Sequence, residues 1–143
     1  MVAGVTIRPC RLDECSIVLD LWKEAGSIPS MTDSPEGLRR LFQNTDAILL
    51  IAEYQNTLVG TVIAAWDGWR GNIYRLVVLQ AYRRRGIGKL LVKGAEDFLS
   101  GKGVQRISIL VVNEEPLAVS FWDALIDGGY NRDLRIVRYA KNL

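Results

Sequence analysis

The chain has 143 residues, with 18 Lys and Arg against 16 Asp and Glu, a formal net charge of +2; this excludes the strongly basic balance of a dedicated nucleic-acid binder and leaves room only for a local positive field. Hydrophobic residues at 49% and charged residues at 24% exclude wholesale disorder and fibrous repeats, and the length suits one compact domain over residues 1–143. There is no histidine, and the two cysteines, Cys10 and Cys15, have neither a Cys-x-x-Cys nor a zinc-ligand spacing, which removes His-based triads and leaves no metal site expected.

In chain order, "GVTIRPC" reads as a short strand ended by Pro9. "RLDECSIVLDLWKEAG" places Val18, Leu21, Trp22 and Ala25 at helical spacing behind an Asp13 cap, with Gly26 closing the helix. "SIPSMTDSPEGLRRLF" is a loop leading into a second helix, with Ser34 as N-cap, Pro35 in the first turn, and Leu38, Leu41 and Phe42 as its buried side. "AILLIAEY" and "TLVGTVIAAW", separated by "QN", read as an antiparallel hairpin, and "DGWRGN" breaks the pattern.

"IYRLVVL" is a further strand. It runs into "AYRRRGIGKLL" and then a helix whose apolar face is Ile87, Leu90, Leu91, Ala95, Phe98 and Leu99. "VQRISILVV" is another strand, "EPLAVSFWDALI" another helix, and "LRIVRYAKNL" a last strand of alternating character. No repeat, low-complexity segment or linker interrupts the series. The expected fold class is α/β, an α+β mixed sheet flanked by about four helices.

The strand, glycine turn and helix around Gly86 carry the chemistry. Such a turn aims unsatisfied backbone N–H groups and the positive end of a helix dipole at one point, which suits a phosphate. Gly86 and Gly88 can take backbone angles closed to other residues and let a ligand approach the main chain, while Arg83, Arg84, Arg85 and Lys89 raise the local potential. A plain tight turn with solvated arginines is the alternative. Neither the Walker-type Gly-x-x-x-x-Gly-Lys-Ser/Thr nor the dinucleotide Gly-x-Gly-x-x-Gly is present, since Lys89, Leu90 and Leu91 follow Gly88.

"LVVLQAYRRRGIGKLLV" resembles the cofactor-binding motif of the GNAT (Gcn5-related) N-acetyltransferase superfamily, whose core Gln/Arg-x-x-Gly-x-Gly/Ala matches Arg83 to Gly88. A second family element follows in the same order: "ISILVV", then Asn113, Ala118, Phe121, Trp122, Gly129 and Tyr130. The resemblance covers nearly the whole chain and looks closest to small RimI-like or YpeA-like bacterial members, through "DGWRG" before the central strand. It implies a single N-acetyltransferase domain built on a mostly antiparallel central sheet with a splayed parallel strand pair.

The resemblance also implies acetyl-CoA as acetyl donor. The backbone of Leu76, Val77 and Val78 would pair with the pantetheine arm, and Arg84, Arg85, Gly86, Ile87, Gly88 and Lys89 would hold the pyrophosphate. The arginines, Arg83 included, would reach the 3′-phosphate, and Asn113 would contact the pantetheine portion. The chemistry implied is direct attack by a neutral amine on the thioester, which requires proton removal from the amine and stabilisation of the leaving thiolate.

Trp122 stands where many relatives place a tyrosine acid. An indole N–H donates a hydrogen bond but does not give up a proton, so either solvent protonates the thiolate or Trp122 simply packs against the cofactor. Tyr74 stands where several relatives place a glutamate base, and Asp67 and Glu114 are the carboxylates near in sequence, each through a water relay. For the acceptor, Asp67 would attract an ammonium, Arg70 a carboxylate, and Trp66 or Trp69 an apolar or cationic group; the alternative is a β-turn with Asp67 and Arg70 paired to each other. "GSIPSMTDSPEG" would form another wall.

The reading is thus an N-acetyltransferase acting on an amine of a small molecule or protein. The alternative is a CoA-binding domain of regulatory or vestigial role, because both usual catalytic positions are altered. No nucleic-acid or membrane partner is expected, and a homodimer is an option. The N-terminus has no basic region leading into a long apolar core, so the expected location is the reducing cytoplasm, with free thiols.

Overall fold

The computed structural model describes residues 3–143 and forms two compact units, Met1–Ile109 and Leu110–Leu143. In the first unit, β1 (Val5–Pro9), β2 (Ala47–Tyr54), β3 (Thr57–Trp66), β4 (Gly71–Val78) and β5 (Ile107–Ile109) form one sheet in the order β1-β2-β3-β4-β5. The first four strands are antiparallel neighbours, while β4 and β5 run parallel. Helices α1 (Cys15–Glu24), α2 (Pro35–Phe42) and α3 (Ile87–Gly101) complete the unit, and α4 (Pro116–Asp123) lies in the second.

The hairpin of β2 and β3 matches the two apolar runs of the sequence. Gln55 and Asn56 between them both have positive φ, 50° and 63°, the paired left-handed geometry that suits the right-handed twist of flanking strands. Ile51, Ala52, Val59, Val62 and Ala64 are fully buried, so each strand is covered rather than alternating in and out. Side chains of this size contribute roughly 1.5–3 kcal/mol each on full burial.

Helix α2 starts as the sequence implies, with the Gly37 N–H donating to Ser34 Oγ at 3.0 Å and Pro35 in the first turn. Helix α1 does not use Asp13 as its cap. A short 3-10 turn, Leu12–Glu14, precedes it, because Glu14 is drawn back to Arg8 and to the Arg11 N–H. In α3 the buried face is Ile87, Leu91, Val92, Ala95 and Leu99; Val92 takes the place expected for Leu90, which is exposed.

Two expectations fail near the C-terminus. Strand β5 is confined to Ile107–Ile109, and residues 134–143 form no strand. Leu134, Ile136, Val137 and Tyr139 in that stretch are all exposed. Alternation marks a strand only when a ladder partner and a covered face accompany it, and among the described residues this stretch has no ladder partner.

The sheet positions the site by where its pairing stops. Strand β5 matches β4 only at Gly71, Asn72 and Ile73. Beyond Ile73, β4 continues to Val78 with no strand paired on that side among the described residues, which is the splayed parallel pair implied by the resemblance. On its other side β4 bulges: Thr61 pairs with Val77 and Ile63 with Tyr74, so Arg75 and Leu76 stand opposite Val62 alone. Arg75 has φ 51°, and the extra residue turns its backbone into the left-handed region.

Candidate functional site

The arginine turn connects β4 to α3. After Val78 a 3-10 turn, Gln80–Tyr82, redirects the chain, and Gly86 then adopts φ 86° as the N-cap of α3. A side chain there would be strained, so glycine is required by the backbone itself. Gly88 does not use that freedom: it lies in the first turn of a helix already begun at Ile87 and shows no positive φ. Arg84, with φ 62°, is the second left-handed residue of the turn.

The first helical hydrogen bond runs from the Leu90 N–H to the Gly86 carbonyl at 3.2 Å. The N–H groups of Ile87, Gly88 and Lys89 therefore precede the ladder and point out of the helix N-terminus. No side chain caps this end. A 15-residue helix with an open N-terminus is a ready anion site.

Charge converges on the same place. Among the described residues no carboxylate pairs with Arg83, Arg84, Arg85 or Lys89, whereas Arg8, Arg39, Arg40, Arg75, Arg132 and Arg135 all meet one. Arg83 has a structural bond as well: its Nε donates to the Val78 carbonyl at 2.8 Å and ties the turn to the end of β4. Arg85 lies over the Tyr82 ring at 5.6 Å. Four cations without a carboxylate, next in sequence to open N–H groups, suit a polyanionic group such as a pyrophosphate.

Leu76, Val77 and Val78 are half-buried, on the stretch of β4 that has lost its parallel neighbour. A ligand amide laid along this edge would meet main-chain donors and acceptors that a sheet otherwise satisfies. Tyr74, at the start of the unpaired stretch, is 46% exposed.

Arg75 is different. Its carbonyl accepts the Thr61 hydroxyl at 2.9 Å, and Thr61 Oγ1 accepts the Trp22 indole N–H at 2.8 Å. Thr61 is wholly buried and fully satisfied by this chain of bonds. The Arg75 guanidinium lies over the Trp22 ring at 5.2 Å and forms an ion pair with Asp33. Nothing in the sequence links these positions, because Trp22, Asp33, Thr61 and Arg75 belong to four separate stretches.

The turn between β3 and β4 engages Asp67 through its backbone. Its Oδ1 accepts the backbone N–H groups of Trp69 at 2.8 Å and Arg70 at 2.7 Å. Those bonds, Arg70's first, hold its carboxyl below the usual carboxylate range, which makes it a weaker proton acceptor. The Arg70 guanidinium does not pair with Asp67; it lies over the exposed Trp69 ring at 4.2 Å. The structure thus brings Asp67, Trp69 and Arg70 together as one closed turn.

In the second unit, Asn113 and Glu114 are exposed in the turn before α4. Trp122 is half-buried on α4, edge-on to Phe121 at 5.3 Å and to Tyr130 at 5.1 Å. This aromatic cluster is a packing role that the unit itself displays. Among the described residues no group of three His, Cys, Asp or Glu is placed to hold a metal ion, and no helix is long and apolar enough to cross a membrane.

Comparison with known proteins gives three kinds of likeness. The model of the Acetyltransferase (GNAT) family matches residues 16–125. A curated acetyltransferase of Sodalis glossinidius is 29% identical over 119 residues, covering 83% of this chain and 84% of its own. Among solved structures, PaiA N-acetyltransferase from Thermoplasma acidophilum, in complex with coenzyme A, superposes with a TM-score of 0.74 at 22% identity, covering 84% of this chain and 87% of its own. The aminoglycoside antibiotic 6′-N-acetyltransferase AAC(6′)-Ih from Acinetobacter baumannii superposes with a TM-score of 0.79 at 19% identity, covering 98% and 99%.

Proposed function

Because the chain belongs to the acetyltransferase (GNAT) family, we propose that it transfers the acetyl group of acetyl-CoA to a primary amine by direct attack, with the arginine turn as the pyrophosphate seat. The observation that carries the reading is the open N-terminus of α3, directly preceded in the chain by Arg83, Arg84 and Arg85 and followed by Lys89, none with a carboxylate partner among the described residues. The family match runs from 16 to 125 across both compact units, which supports treating residues 1–143 as one N-acetyltransferase domain.

Bound acetyl-CoA supplies the thioester carbonyl that the amine attacks. Gly86, Ile87, Gly88 and Lys89 hold the pyrophosphate with main-chain N–H groups, while Arg84 and Arg85 neutralise phosphate charge. The unpaired edge of Leu76, Val77 and Val78 orients the pantetheine arm, and Asn113 and Trp122 keep the cofactor-contacting roles that the resemblance gives them. Asp67 shapes the turn that carries Trp69 and Arg70 on the acceptor side.

Among the described residues, the carboxylates and phenol proposed for the amine proton are Asp67, Glu114 and Tyr74. Asp67 is occupied by two backbone N–H groups, so the proton passes to water, with Tyr74 and Glu114 as the side chains offered for a relay. The chemistry then depends on holding the amine neutral and close to the thioester rather than on a dedicated base.

The altered acid and base positions, Trp122 and Tyr74, favour one second reading, a CoA-binding domain of regulatory or vestigial role. Following release of the CoA thiol with acetyl-CoA and a panel of monoamines, polyamines, aminoglycosides and peptides separates the two. Turnover with any amine supports the transferase. Saturable acetyl-CoA binding without transfer to any amine would replace it with the second reading.

A further inference from the structure

The segment 27–34, between α1 and α2, is a built object and not a loose connection. The Asp33 N–H donates to the Ser30 carbonyl and the Ser30 N–H to Asp33 Oδ2, both at 3.0 Å, while the Ser34 N–H donates to the Thr32 carbonyl at 3.0 Å. Ser34 caps α2 at the far end, and a side chain at Gly37 would run into the Thr32 carbonyl. Local bonds of this kind fix the shape of a turn, but they do not fix its place on a sheet.

One side chain ties it to the sheet. Arg75 Nη2 donates to the Ile28 carbonyl at 3.0 Å, Nε donates to Asp33 Oδ1 at 3.2 Å, and Nη2 also bonds Asp33 Oδ2. A planar guanidinium fork therefore grips both ends of the segment at once. Arg75 is itself held by the β4 bulge and by the Thr61 bond to its carbonyl. The attachment lies two residues beyond Ile73, where β4 parts from β5.

The grip has a chemical consequence. Asp33 is the sole carboxylate of residues 27–34, and Arg75 cancels its charge. What the segment leaves exposed carries no charge: Ile28 at 48% and Met31 at 63%, with Pro29, Ser30 and Thr32 beside them. Resting on the acetyltransferase reading for what the segment faces, we propose that Arg75 is a positioning residue that fixes residues 27–34 as an uncharged wall beside the open edge of β4, favouring an amine attached to an apolar group over a polycation. A polycationic acceptor requires carboxylates free to receive its ammonium groups, and this wall has its one carboxylate engaged.

The test compares the full-length wild type with Arg75→Met, Arg75→Lys and Asp33→Asn. Hydrogen exchange of the amides in 27–34 should quicken on the order of tenfold in Arg75→Met and Asp33→Asn, with the rest of the first unit unchanged, because bonds to charged groups are worth a decade or more in a local opening equilibrium. Arg75→Lys keeps the charge but not the fork, and with Asp33→Asn it carries the test if Arg75→Met fails to fold. Transfer to 2-phenylethylamine should exceed transfer to spermidine in the wild type. Arg75→Met should raise the relative kcat/KM for spermidine roughly tenfold through the amine KM, leaving the KM for acetyl-CoA unchanged, and adding Asp33→Asn should remove the gain.

Unchanged exchange in 27–34 would overturn the proposal. So would a wild-type preference for spermidine, or transfer to neither amine by a chain that binds acetyl-CoA. A chain that does not bind acetyl-CoA at all would instead overturn the transferase reading, while the exchange data would still decide whether Arg75 holds the segment.

Discussion

Arg75 and the arginines at 83–85 lie on one continuous stretch of chain, yet they have opposite surroundings. Arg75 meets a carboxylate, a carbonyl and an indole ring, and its own carbonyl is bonded to a buried hydroxyl. Arg84 and Arg85 meet no carboxylate among the described residues and sit beside helix N–H groups that precede the hydrogen-bond ladder. The difference teaches how to separate an arginine that holds the fold from one whose charge the fold leaves to solvent or a ligand. The criterion is whether the protein already satisfies the charge, because leaving charge unsatisfied is tolerated where solvent or a ligand completes it.

The largest expected effect breaks the satisfied side. Thr61→Val should cost about 3 kcal/mol in chemical unfolding, because it leaves the buried Trp22 N–H and the Arg75 carbonyl without their partner. A loss below about 1 kcal/mol would show that the network contributes little.

Gly86→Glu strikes the open side and should give the reverse pattern. Acetyl-CoA binding should weaken about a hundredfold or more as several charge-assisted bonds are lost. Stability should fall by only about 1–2 kcal/mol, from the positive φ. Normal binding by a folded variant would remove the proposed phosphate seat.

Glu14 extends the satisfied class. Its carboxylate takes two bonds from Arg8, at 2.9 and 2.7 Å, and one from the Arg11 N–H. The Arg8 bonds, above all, draw its pKa down to about 2, against about 4.3 in an unfolded chain. A depressed carboxylate contributes stability above the unfolded value and loses it as pH falls toward the folded one. Glu14→Gln should therefore cost about 2 kcal/mol near pH 6, and the gap to wild type should narrow between roughly pH 5 and pH 2. A gap independent of pH would assign the loss to packing.

The smallest effect is Arg85→Ala. Stability should change by less than about 0.5 kcal/mol, since the residue is exposed and its side chain lies over the Tyr82 ring without a carboxylate partner among the described residues. Acetyl-CoA affinity should fall several-fold, about 1 kcal/mol, and more at low salt than at high. A stability loss matching that of Thr61→Val would erase the distinction.

Local signals made much of this legible in the sequence. The β2–β3 hairpin follows its two apolar runs, α2 begins at its Ser-Pro pair, and the Arg-Gly turn sits between a strand and a helix. Gly86 was readable for the same reason, since a helix entered through a left-handed residue needs glycine. The fork from Arg75 to Asp33 was not, because it joins residues 42 apart through a bulge that no residue pattern marks. The stretch 134–143 shows the converse failure: Leu134 and Ile136 flank Arg135, and Val137 and Tyr139 flank Arg138, as in a strand, but alternation does not supply a partner.

The same logic corrects two residue readings. Asp67 reads as a relay base by type, and its Oδ1 bonds to the Trp69 and Arg70 N–H groups show it closing a turn and make it a weaker proton acceptor. Gly88 reads as a second conformational glycine, and the helix has already begun when the chain reaches it. In both cases the residue type was suggestive, and the backbone around it decided.

The most direct test of the central claim is calorimetric titration of the full chain with acetyl-CoA and, in parallel, with dephospho-CoA. The account predicts saturable binding of acetyl-CoA that weakens when the 3′-phosphate is missing and again as salt is raised. No binding of acetyl-CoA would contradict it, and equal affinity for both ligands would take the arginines at 83–85 away from the 3′-phosphate.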